Sequence, residues 1–253
     1  MSNNPLTIFR NELVKMEPQF DRVLPAHLTV ARLTRTIESC VSRNPRLLQA
    51  DRKSLWEAAM TAAVFGLECD GWTGQGHLVP FKGKVQFIPG YQGLITLAFN
   101  SGYIVQGHVV RQSDIFSYQY GLEPALNHAP DRTHDRGADN PIVAAYATAR
   151  GKDLIPVFEV MELPELLDAR AKSSGWQAFK SGKMKDNPWE SDFEAMARKT
   201  PIRRLASHLP LNFQKAVAIE AMAEQGVNAH AEKMPDGTIN IEGEAVDVSE
   251  GDG

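Results

Sequence analysis

Residues 77–100 read HLVPFKGKVQFIPGYQGLITLAFN, and this stretch decides the fold class of the chain. Two short runs of alternating apolar and polar residues, His77 to Phe81 and Val85 to Ile88, are joined through Lys82, Gly83 and Lys84. Alternation of this kind around a glycine-containing connection is typical of two paired strands. The sequence therefore predicts a β-hairpin with a basic tip.

The residues after the hairpin predict a turn from strand into helix. Gly90 and Gly93 frame Tyr91 and Gln92, and an apolar run then continues to about Asn100. Free amides at the start of a helix can bind a phosphate. A tight turn that packs Tyr91 on the core explains the same glycines. Both interpretations stay open at the level of sequence.

Hydrophobic periodicity predicts strands in the middle of the chain and helices at both ends. The further strands are Tyr103 to Arg111, Ile115 to Tyr120, Ile142 to Arg150 and Leu154 to Met161, with a long loop from Glu123 to Asn140. The helices are Leu6 to Met16, Thr29 to Ser42, Ser54 to Phe65, Leu163 to Lys172 and a region from Pro188 onward. This distribution predicts an α+β fold with a central antiparallel sheet of β-hairpins, backed by helices, and helical N- and C-terminal parts.

The run FEAMARKTPIRRLASHLP, from Phe193 to Pro210, combines an apolar stripe with a cluster of cations. Thr200 before Pro201 is the pattern of an N-cap and a first helical residue, so the pattern predicts that one helix ends and another begins there. Two helix ends would then meet at one basic corner, formed by Arg198, Lys199, Arg203 and Arg204. The corner can bind phosphate, or it can be a solvated cluster that complements a helix dipole.

Charge is distributed unevenly along the chain. The 253 residues carry a net charge of −4. Residues 1–217 hold 26 Lys and Arg against 22 Asp and Glu, whereas the chain from Ala218 onward holds Lys233 against 9 acids. Screening limits a local potential to about 8–10 Å at physiological salt. A basic surface on the body can therefore attract a polyanion despite the overall sign.

Composition excludes several broad classes of protein. The chain is 43% hydrophobic and 23% charged, and no apolar run reaches the length of about 20 residues that a membrane helix needs. The start, MSNNPLTIFRNE, lacks the features of a secretion signal, so we expect a cytoplasmic protein. Cys40 and Cys69 fit a reducing compartment and are expected to pack as small buried groups.

The C-terminal segment shows no sustained hydrophobic period. Residues 226–253 are rich in Gly, Asp and Glu, with isolated Ile and Val. Such composition predicts a disordered acidic tail after a folded domain that spans residues 1–225.

Motifs for catalysis are weak in this chain. His128, Asp131, His134 and Asp135 are the only histidine and carboxylate cluster with plausible metal-ligand spacing, although residues of these types in a loop are more often simply solvated. The glycines from Gly71 to Gly76 leave a helix and enter a strand, the wrong order for a dinucleotide fingerprint. The sequence therefore predicts a binding protein without a catalytic residue, cofactor or metal.

Several aromatic residues could stack on nucleic-acid bases. Trp189 stands out because it lies close to Lys180, Lys183 and Lys185. Aromatic residues in strands, by contrast, usually belong to the core.

Four blocks of the sequence together resemble one known family. They are GLECDGWTGQGHLVPF (66–81), VQFIPGYQGLITLAFNSG (85–102), FEVM (158–161) and NPWESDFEAMARKTPIRRLASHLP (187–210). In this order and spacing they resemble the RecT family of phage-type single-strand annealing recombinases, over roughly residues 20 to 215.

The resemblance implies a function and a set of partners. Such proteins bind single-stranded DNA without sequence preference, assemble into rings or helical filaments, and pair complementary strands without ATP. They act beside a 5′-to-3′ exonuclease and contact the single-strand-binding protein of the bacterial host. The resemblance also implies a Rad52-like core in which a β-hairpin sheet and a backing helix form a positive groove along the oligomer.

We therefore expect residues 1–225 to be a domain that binds single-stranded DNA and the annealed duplex. The expected DNA-binding residues are Lys82, Lys84, Tyr91, Gln92, Arg111, Trp189, Arg198, Lys199, Arg203 and Arg204. Two alternatives are a metal-dependent DNA-processing enzyme that uses the loop from His128 to Asp135, and a plain single-strand-binding module that coats DNA.

Overall fold

The computed structural model describes residues 4–134, 136–137, 139–151, 156–205, 208–224, 227–233 and 239–245. Contacts group the chain into two compact units, Met1–Leu97 with Leu211–Gly253, and Ala98–Pro210. Helices and antiparallel strands occur in both, which confirms the predicted α+β class. Within the described ranges, every helix is too short or too polar to cross a lipid bilayer.

Three helices and a short 3-10 turn open the first unit: α1 (Pro5–Val23), α2 (Val30–Arg43), the turn (Pro45–Leu48) and α3 (Arg52–Phe65). Each helix begins at a polar cap, because the side chains of Asn4, Thr29 and Asp51 accept hydrogen bonds from backbone N–H groups of the first turn. Most positions of α3 are buried, which makes it the central helix of this unit.

Helix α1 continues through Pro18, beyond the predicted end at Met16. A proline inside a helix costs about 3 kcal/mol, because it removes one hydrogen bond and crowds the preceding turn. Phe20 lies beyond the proline and is fully buried, and burial of a large aromatic side chain offsets much of that cost. Packing therefore overrides local propensity at this position.

Ser54, where the sequence predicts the start of this helix, lies inside α3 and connects it to a strand. The Asp51 carboxylate accepts a hydrogen bond from Ser54 N at 2.7 Å, so the helix begins earlier. The Ser54 hydroxyl donates to Asp51 O and accepts from Val85 N, each at 2.8 Å. One side chain thus anchors the hairpin on the central helix.

The predicted hairpin and its helix are confirmed: β1 (Gly76–Phe81), β2 (Lys84–Pro89) and α4 (Tyr91–Asn100). Phe81 pairs with Lys84, which leaves Lys82 and Gly83 as a two-residue turn. Their φ angles are 45° and 78°, as a tight hairpin turn of type I′ requires. The Asp51 N–H donates to Gly83 O at 2.7 Å and holds this tip in place.

The glycines before and within α4 permit a close approach of two backbone segments. A Cβ on Gly93 would lie 2.0 Å from Gln75 O, and one on Gly90 would lie 2.1 Å from Gly74 O. The Gly90 N–H donates to Gln75 O at 2.9 Å. This amide is therefore not free to bind a phosphate, and the tight-turn interpretation of the sequence is favoured.

Two strands lie in the segment for which the sequence predicts disorder. They follow α9 (Leu211–Glu224) as β8 (Val227–Lys233) and β9 (Ile239–Ala245), which pair in antiparallel fashion. Strand β8 contacts α3 and α9. The structure thus differs from the predicted disorder at these strands. Strand β8 alternates Val and Ala with polar residues and β9 alternates Ile with Asn and Glu, but the signal is weak because alanine and glycine are poor strand formers. Residues 246–253 lie outside the described ranges.

In its described part, the second unit contains five strands: β3 (Tyr103–Arg111), β4 (Ile115–Gln119), β5 (Ala125–Ala129), β6 (Ile142–Gly151) and β7 (Val157–Glu162). Strands β3, β6 and β7 form one antiparallel sheet in that order, and β4 pairs with β5. The predicted strands are confirmed within the described residues, with Leu154 and Ile155 of the last one outside them. Strand β5 lies inside the predicted long loop, where its short run ALNHA offers little period. In the described ranges the strands form four separate antiparallel sheets, not one central sheet.

The three-stranded sheet buries both of its faces. On one face, Ala145 and Met161 pack with helical residues Leu166 and Ala197. On the other face, Val110, Tyr146 and Val160 pack against side chains of β4, β5 and β7 that include Phe116, Leu126 and Phe158. The sheet therefore lies between helices and the β4–β5 hairpin.

The described residues of this unit also form four helices: α5 (Leu163–Lys172), α6 (Ser174–Lys180), α7 (Pro188–Ser191) and α8 (Phe193–Leu205). Helix α8 continues through Pro201, so the predicted boundary at Thr200 is wrong. The Thr200 hydroxyl donates to Met196 O at 2.7 Å and does not act as an N-cap. Ala197, Pro201 and Leu205 are buried on one face, and this burial favours a single helix. The expected corner between two helix ends is therefore absent from the described residues.

Candidate nucleic-acid interface

A basic cleft of about 720 Å³ lies within the second unit, between strands β3 and β6, helix α8 and the segment after β5. Among the described residues, its charged and titratable lining consists of four arginines, three carboxylates and three histidines: Arg111, Arg132, Arg136, Arg198, Asp114, Asp131, Glu194, His108, His128 and His134. With neutral histidines, the lining side chains carry a positive excess. We call this surface the Arg111 cleft.

Close packing of β3 on α8 brings the cleft walls together. A Cβ on Gly107 would lie 2.5 Å from Arg198 O and 3.0 Å from Arg198 Cγ. Only a glycine permits this approach, so Gly107 sets the position of the Arg198 side chain relative to the sheet.

Glu194 holds two arginines at the base of the cleft. Its Oε2 lies 2.7 Å from Arg111 Nη2, and its Oε1 lies 2.7 Å from Arg198 Nη2. Arg111 also donates to Asn140 O at 2.8 Å and is 12% exposed, whereas the Arg198 side chain is 45% exposed. One carboxylate facing two guanidinium groups leaves one positive charge, which Arg198 presents to solvent.

A buried hydrogen-bond network supports the opposite wall. His128 Nδ1 lies 3.1 Å from the Tyr146 hydroxyl, and His128 Nε2 lies 3.1 Å from Asp114 Oδ2. Asp114 also accepts from the backbone N–H groups of Arg111 and Asp131 at 2.7 and 2.9 Å. Although burial opposes ionisation, these donors lower the pKa of Asp114. The carboxylate therefore ties β3 to the segment after β5.

The rim of the cleft carries exposed cations and histidines. Arg132 and Arg136 are exposed and make no ion pair with a described carboxylate. Asp131 accepts from the Thr133 hydroxyl and N–H at 2.6 and 2.7 Å and pairs with His134, and these contacts lower its pKa to about 2. Its negative charge is thus engaged locally, within the segment from 131 to 134.

The metal-site alternative gains no support from this geometry. Among the described residues, no group of three or more His, Cys, Asp or Glu side chains is arranged to hold a metal ion. His128 and His134 each engage a different carboxylate, Asp114 and Asp131 respectively. Asp135 lies outside the described residues.

The remaining cations of α8 do not line the Arg111 cleft. Lys199 and Arg203 are half-buried. Arg204 Nε lies 2.8 Å from Glu159 Oε1, and its Nη1 also donates to Glu165. This hydrogen bond raises the pKa of Arg204 and lowers that of Glu165. Two carboxylates outweigh one guanidinium, so Arg204 ties α8 to β7 and α5 more than it attracts phosphate.

Trp189 is not available as a base-stacking platform. Its side chain is 5% exposed, and its ring centroid lies 5.9 Å from that of Phe193. The Asn187 side chain accepts from Trp189 N at 2.9 Å and fixes the start of α7. The apolar ring completes the core, so this conformation gives no support to the predicted DNA contact by Trp189, which stays a prediction.

The other expected DNA contacts lie in the first unit, at the hairpin tip and at the start of α4. Lys82 is exposed at the tip, with its Nζ 5.4 Å from the Phe81 ring centroid, and Lys84 is half-buried. Tyr91 is half-buried and Gln92 is exposed. Their role in DNA binding stays a prediction.

Comparison with known proteins identifies the family of this chain. A profile of the RecT family matches residues 31–234. The chain belongs to the RecT family. It is 34% identical over 232 residues to Protein RecT of Escherichia coli (strain K12), a match that covers 87% of this chain and 81% of the relative. It is also 28% identical over 212 residues to an uncharacterized protein, YqaK, of Bacillus subtilis (strain 168), covering 80% of this chain and 67% of that protein.

Membership of the RecT family confirms the resemblance and makes the chain a DNA-recombination protein. Three residues of the Arg111 cleft were not predicted from the sequence, namely His108, Arg132 and Arg136. The arginines alternate with acids along the chain, so local charge counts do not single them out. The density of Arg and His within nine residues of the predicted loop, His128, Arg132, His134 and Arg136, is a signal that could have pointed to the two arginines.

Proposed function

We propose that this RecT-family chain binds single-stranded DNA and anneals complementary strands without ATP during homologous recombination. In this proposal the protein acts as a ring or helical homo-oligomer. Cationic side chains hold the sugar-phosphate backbone and leave base edges free to test a second strand. Annealing neither breaks nor forms a covalent bond, so the proposal needs no catalytic residue and no cofactor.

The observation that carries the proposal is the arrangement of Arg111 and Arg198 about the single Glu194 carboxylate. The guanidinium group is a planar fork that matches the geometry of phosphate oxygens. Glu194 fixes both forks, and the charge that remains uncompensated is exposed on Arg198. Arg132 and Arg136 extend the positive surface along the rim.

Electrostatics can drive annealing on such a surface. Each phosphate contact releases condensed counterions, so binding weakens as salt rises. A paired duplex confines twice the phosphate charge of one strand. We therefore expect the protein to bind the annealed product more tightly than either single strand. The affinity for both should fall as salt increases.

The proposal extends to assembly and partners. The basic groove would form along the oligomer, with contributions from Lys82, Lys84, Tyr91, Gln92, Lys199 and Arg203. A 5′-to-3′ exonuclease would supply the single strand, and a host single-strand-binding protein would be the competitor or donor of that strand. Because β8 contacts α3 and α9, we propose that the DNA-binding domain ends after β9 and not at residue 225.

An annealing assay with two complementary labelled oligonucleotides tests the function. With neither nucleotide nor metal ion present, the protein should accelerate duplex formation well above the rate of the oligonucleotides alone. A protein that binds each strand but slows pairing would be a plain single-strand-binding module. Strand shortening that requires a divalent ion and disappears in His128→Ala would instead indicate the DNA-processing enzyme.

A further inference from the structure

Trp72 extends into solvent from a hydrogen-bonded turn in the first unit. Its side chain is 82% exposed, an unusual state for an indole. Asp70 Oδ1 accepts from Trp72 N at 2.8 Å and from Thr73 N and the Thr73 hydroxyl, each at 2.9 Å. The flanking residues Gly71 and Gly74 have φ angles of 74° and 66°, which favour glycine. The loop therefore presents Trp72 in a defined position.

An arginine cradles the indole and ties it to α2. Arg43 Cζ lies 5.4 Å from the centroid of the Trp72 ring, and Arg43 Nη2 donates to Asp70 O. Arg43 Nε also donates to Ser39 O at 3.3 Å. The guanidinium covers part of the ring, and the 82% exposure shows that most of the indole stays accessible.

A groove of about 580 Å³ runs from Trp72 along α2 and includes Arg32, Arg35, Thr36 and Ser39. We call it the Trp72 groove. Residues 32, 35, 39 and 43 fall on one face of the helix and extend over about 16 Å at 1.5 Å per residue. Stacked nucleotides rise by about 3.4 Å along one strand, so this face matches about five nucleotides.

The accessible charge of the Trp72 groove is positive. Glu68 is 10% exposed and pairs with Arg32 at 2.9 Å. Asp70 faces the backbone of its own loop. Arg35 is exposed and makes no ion pair with a described carboxylate. A partner with negative charge and a flat apolar surface fits this combination better than an apolar protein surface does.

We propose that the Trp72 groove is a binding site for unpaired nucleotides, in which a base stacks on Trp72 while Arg35 and Arg43 contact the adjacent phosphates. The inference rests on the proposed binding of single-stranded DNA and adds a residue that recognises the unpaired state. Stacking is insensitive to base identity because every base has a π face, and it is lost once bases pair and stack on one another. Trp72 would therefore favour loading of single strands.

The test compares two probes of equal length and charge, oligothymidylate and a wholly abasic strand. The wild-type protein should bind oligothymidylate more tightly. Trp72→Ala should lower the affinity for oligothymidylate about fivefold or more and leave the abasic strand nearly unchanged. Trp72→Phe, which keeps a ring, should retain most of the preference. Arg35→Ala should weaken the binding of both probes. It should also reduce the salt slope, which is the slope of log affinity against log salt concentration, by about 0.7. Phe99→Ala, which removes another exposed aromatic side chain, should change neither.

The outcomes separate this inference from the proposed function. If the wild-type protein binds neither probe, both the stacking site and the proposed function are wrong. If wild type binds and anneals but folded Trp72→Ala keeps the full preference for oligothymidylate, the stacking site is wrong and the function stands. An equal loss for both probes, accompanied by a smaller oligomer in sedimentation, would assign Trp72 to a contact between copies and also overturn the inference.

Discussion

The Arg198 guanidinium lies 2.7 Å from the Glu194 carboxylate across one turn of α8. The second oxygen of the same carboxylate holds Arg111 on β3. A single acid therefore sets the position and the net charge of two cations in the Arg111 cleft. The proposed phosphate site depends on this shared contact.

Replacement of Glu194 by Gln should strengthen DNA binding. The variant keeps the shape of the side chain and removes one negative charge, so the cleft gains positive potential. We expect tighter binding of single-stranded DNA at low salt and a salt slope steeper by up to about 0.7. Titration of a labelled oligonucleotide at several salt concentrations measures both. Glu190→Gln removes an exposed acid on α7 and should have a much smaller effect; equal effects of the two variants would contradict a specific role of the cleft.

Replacement of Arg204 by Ala should affect stability more than DNA binding. Arg204 pairs with Glu159 and Glu165, and its side chain is 49% exposed, so we expect a loss of about 1 kcal/mol after solvent screening. Thermal unfolding should show a melting temperature lower by about 2–4 °C. Arg198→Ala is the matched variant six residues earlier on α8 and should show the reverse pattern. If Arg204→Ala instead flattened the salt slope of DNA binding and left stability unchanged, Arg204 would be a DNA contact and not a structural residue.

Protonation of Asp114 in acid should lower the stability of the folded chain. The pKa of this carboxyl is lower in the folded chain than its ordinary value near 3.9, so its contribution is present above that pH and is lost as pH falls through the lower value. Urea unfolding of wild type should show falling stability below about pH 4. Asp114→Asn should have a free energy of unfolding about 2 kcal/mol lower than wild type at neutral pH. This free energy should fall less in acid than that of wild type, because the variant has no carboxylate to protonate at position 114. Asp168→Asn, at an exposed pair with Lys172, should behave like wild type; an equally steep acid decline in Asp114→Asn would contradict the assignment.

Replacement of Trp189 should reveal a core residue. Trp189→Ala should lose about 3–5 kcal/mol of stability, because it leaves a large cavity next to Phe193. Trp189→Phe should fold and bind single-stranded DNA with nearly normal affinity. Calorimetry and oligonucleotide titration give the two readouts. A stable Trp189→Phe that binds DNA much more weakly would restore the stacking role that the sequence predicts.

The elements that the sequence predicts well are those with strong local signals. The hairpin about Lys82 and Gly83 combines a period of two with a turn that needs positive φ, and both features are local. The errors arise where tertiary packing decides. Helices α1 and α8 continue through Pro18 and Pro201 because buried residues follow each proline.

The candidate site is harder to predict because its parts are distant in the chain. Arg111 meets Glu194 across 83 positions, and His128 meets Asp114 across 14. A residue list cannot show that Glu194 serves two cations or that Arg204 faces two acids. The basic character of α8 is visible in the sequence, but the division of its arginines between the cleft and a structural contact appears only in three dimensions.

The most direct test of the account is the rate of strand annealing by wild type and Arg198→Ala, followed by energy transfer between two labelled complementary oligonucleotides without nucleotide. We expect wild type to accelerate pairing, with a rate that falls as salt rises, and a folded Arg198→Ala to be slower and less sensitive to salt. If wild type leaves pairing unchanged, or the variant anneals as fast with the same salt dependence, phosphate binding in the Arg111 cleft does not drive annealing.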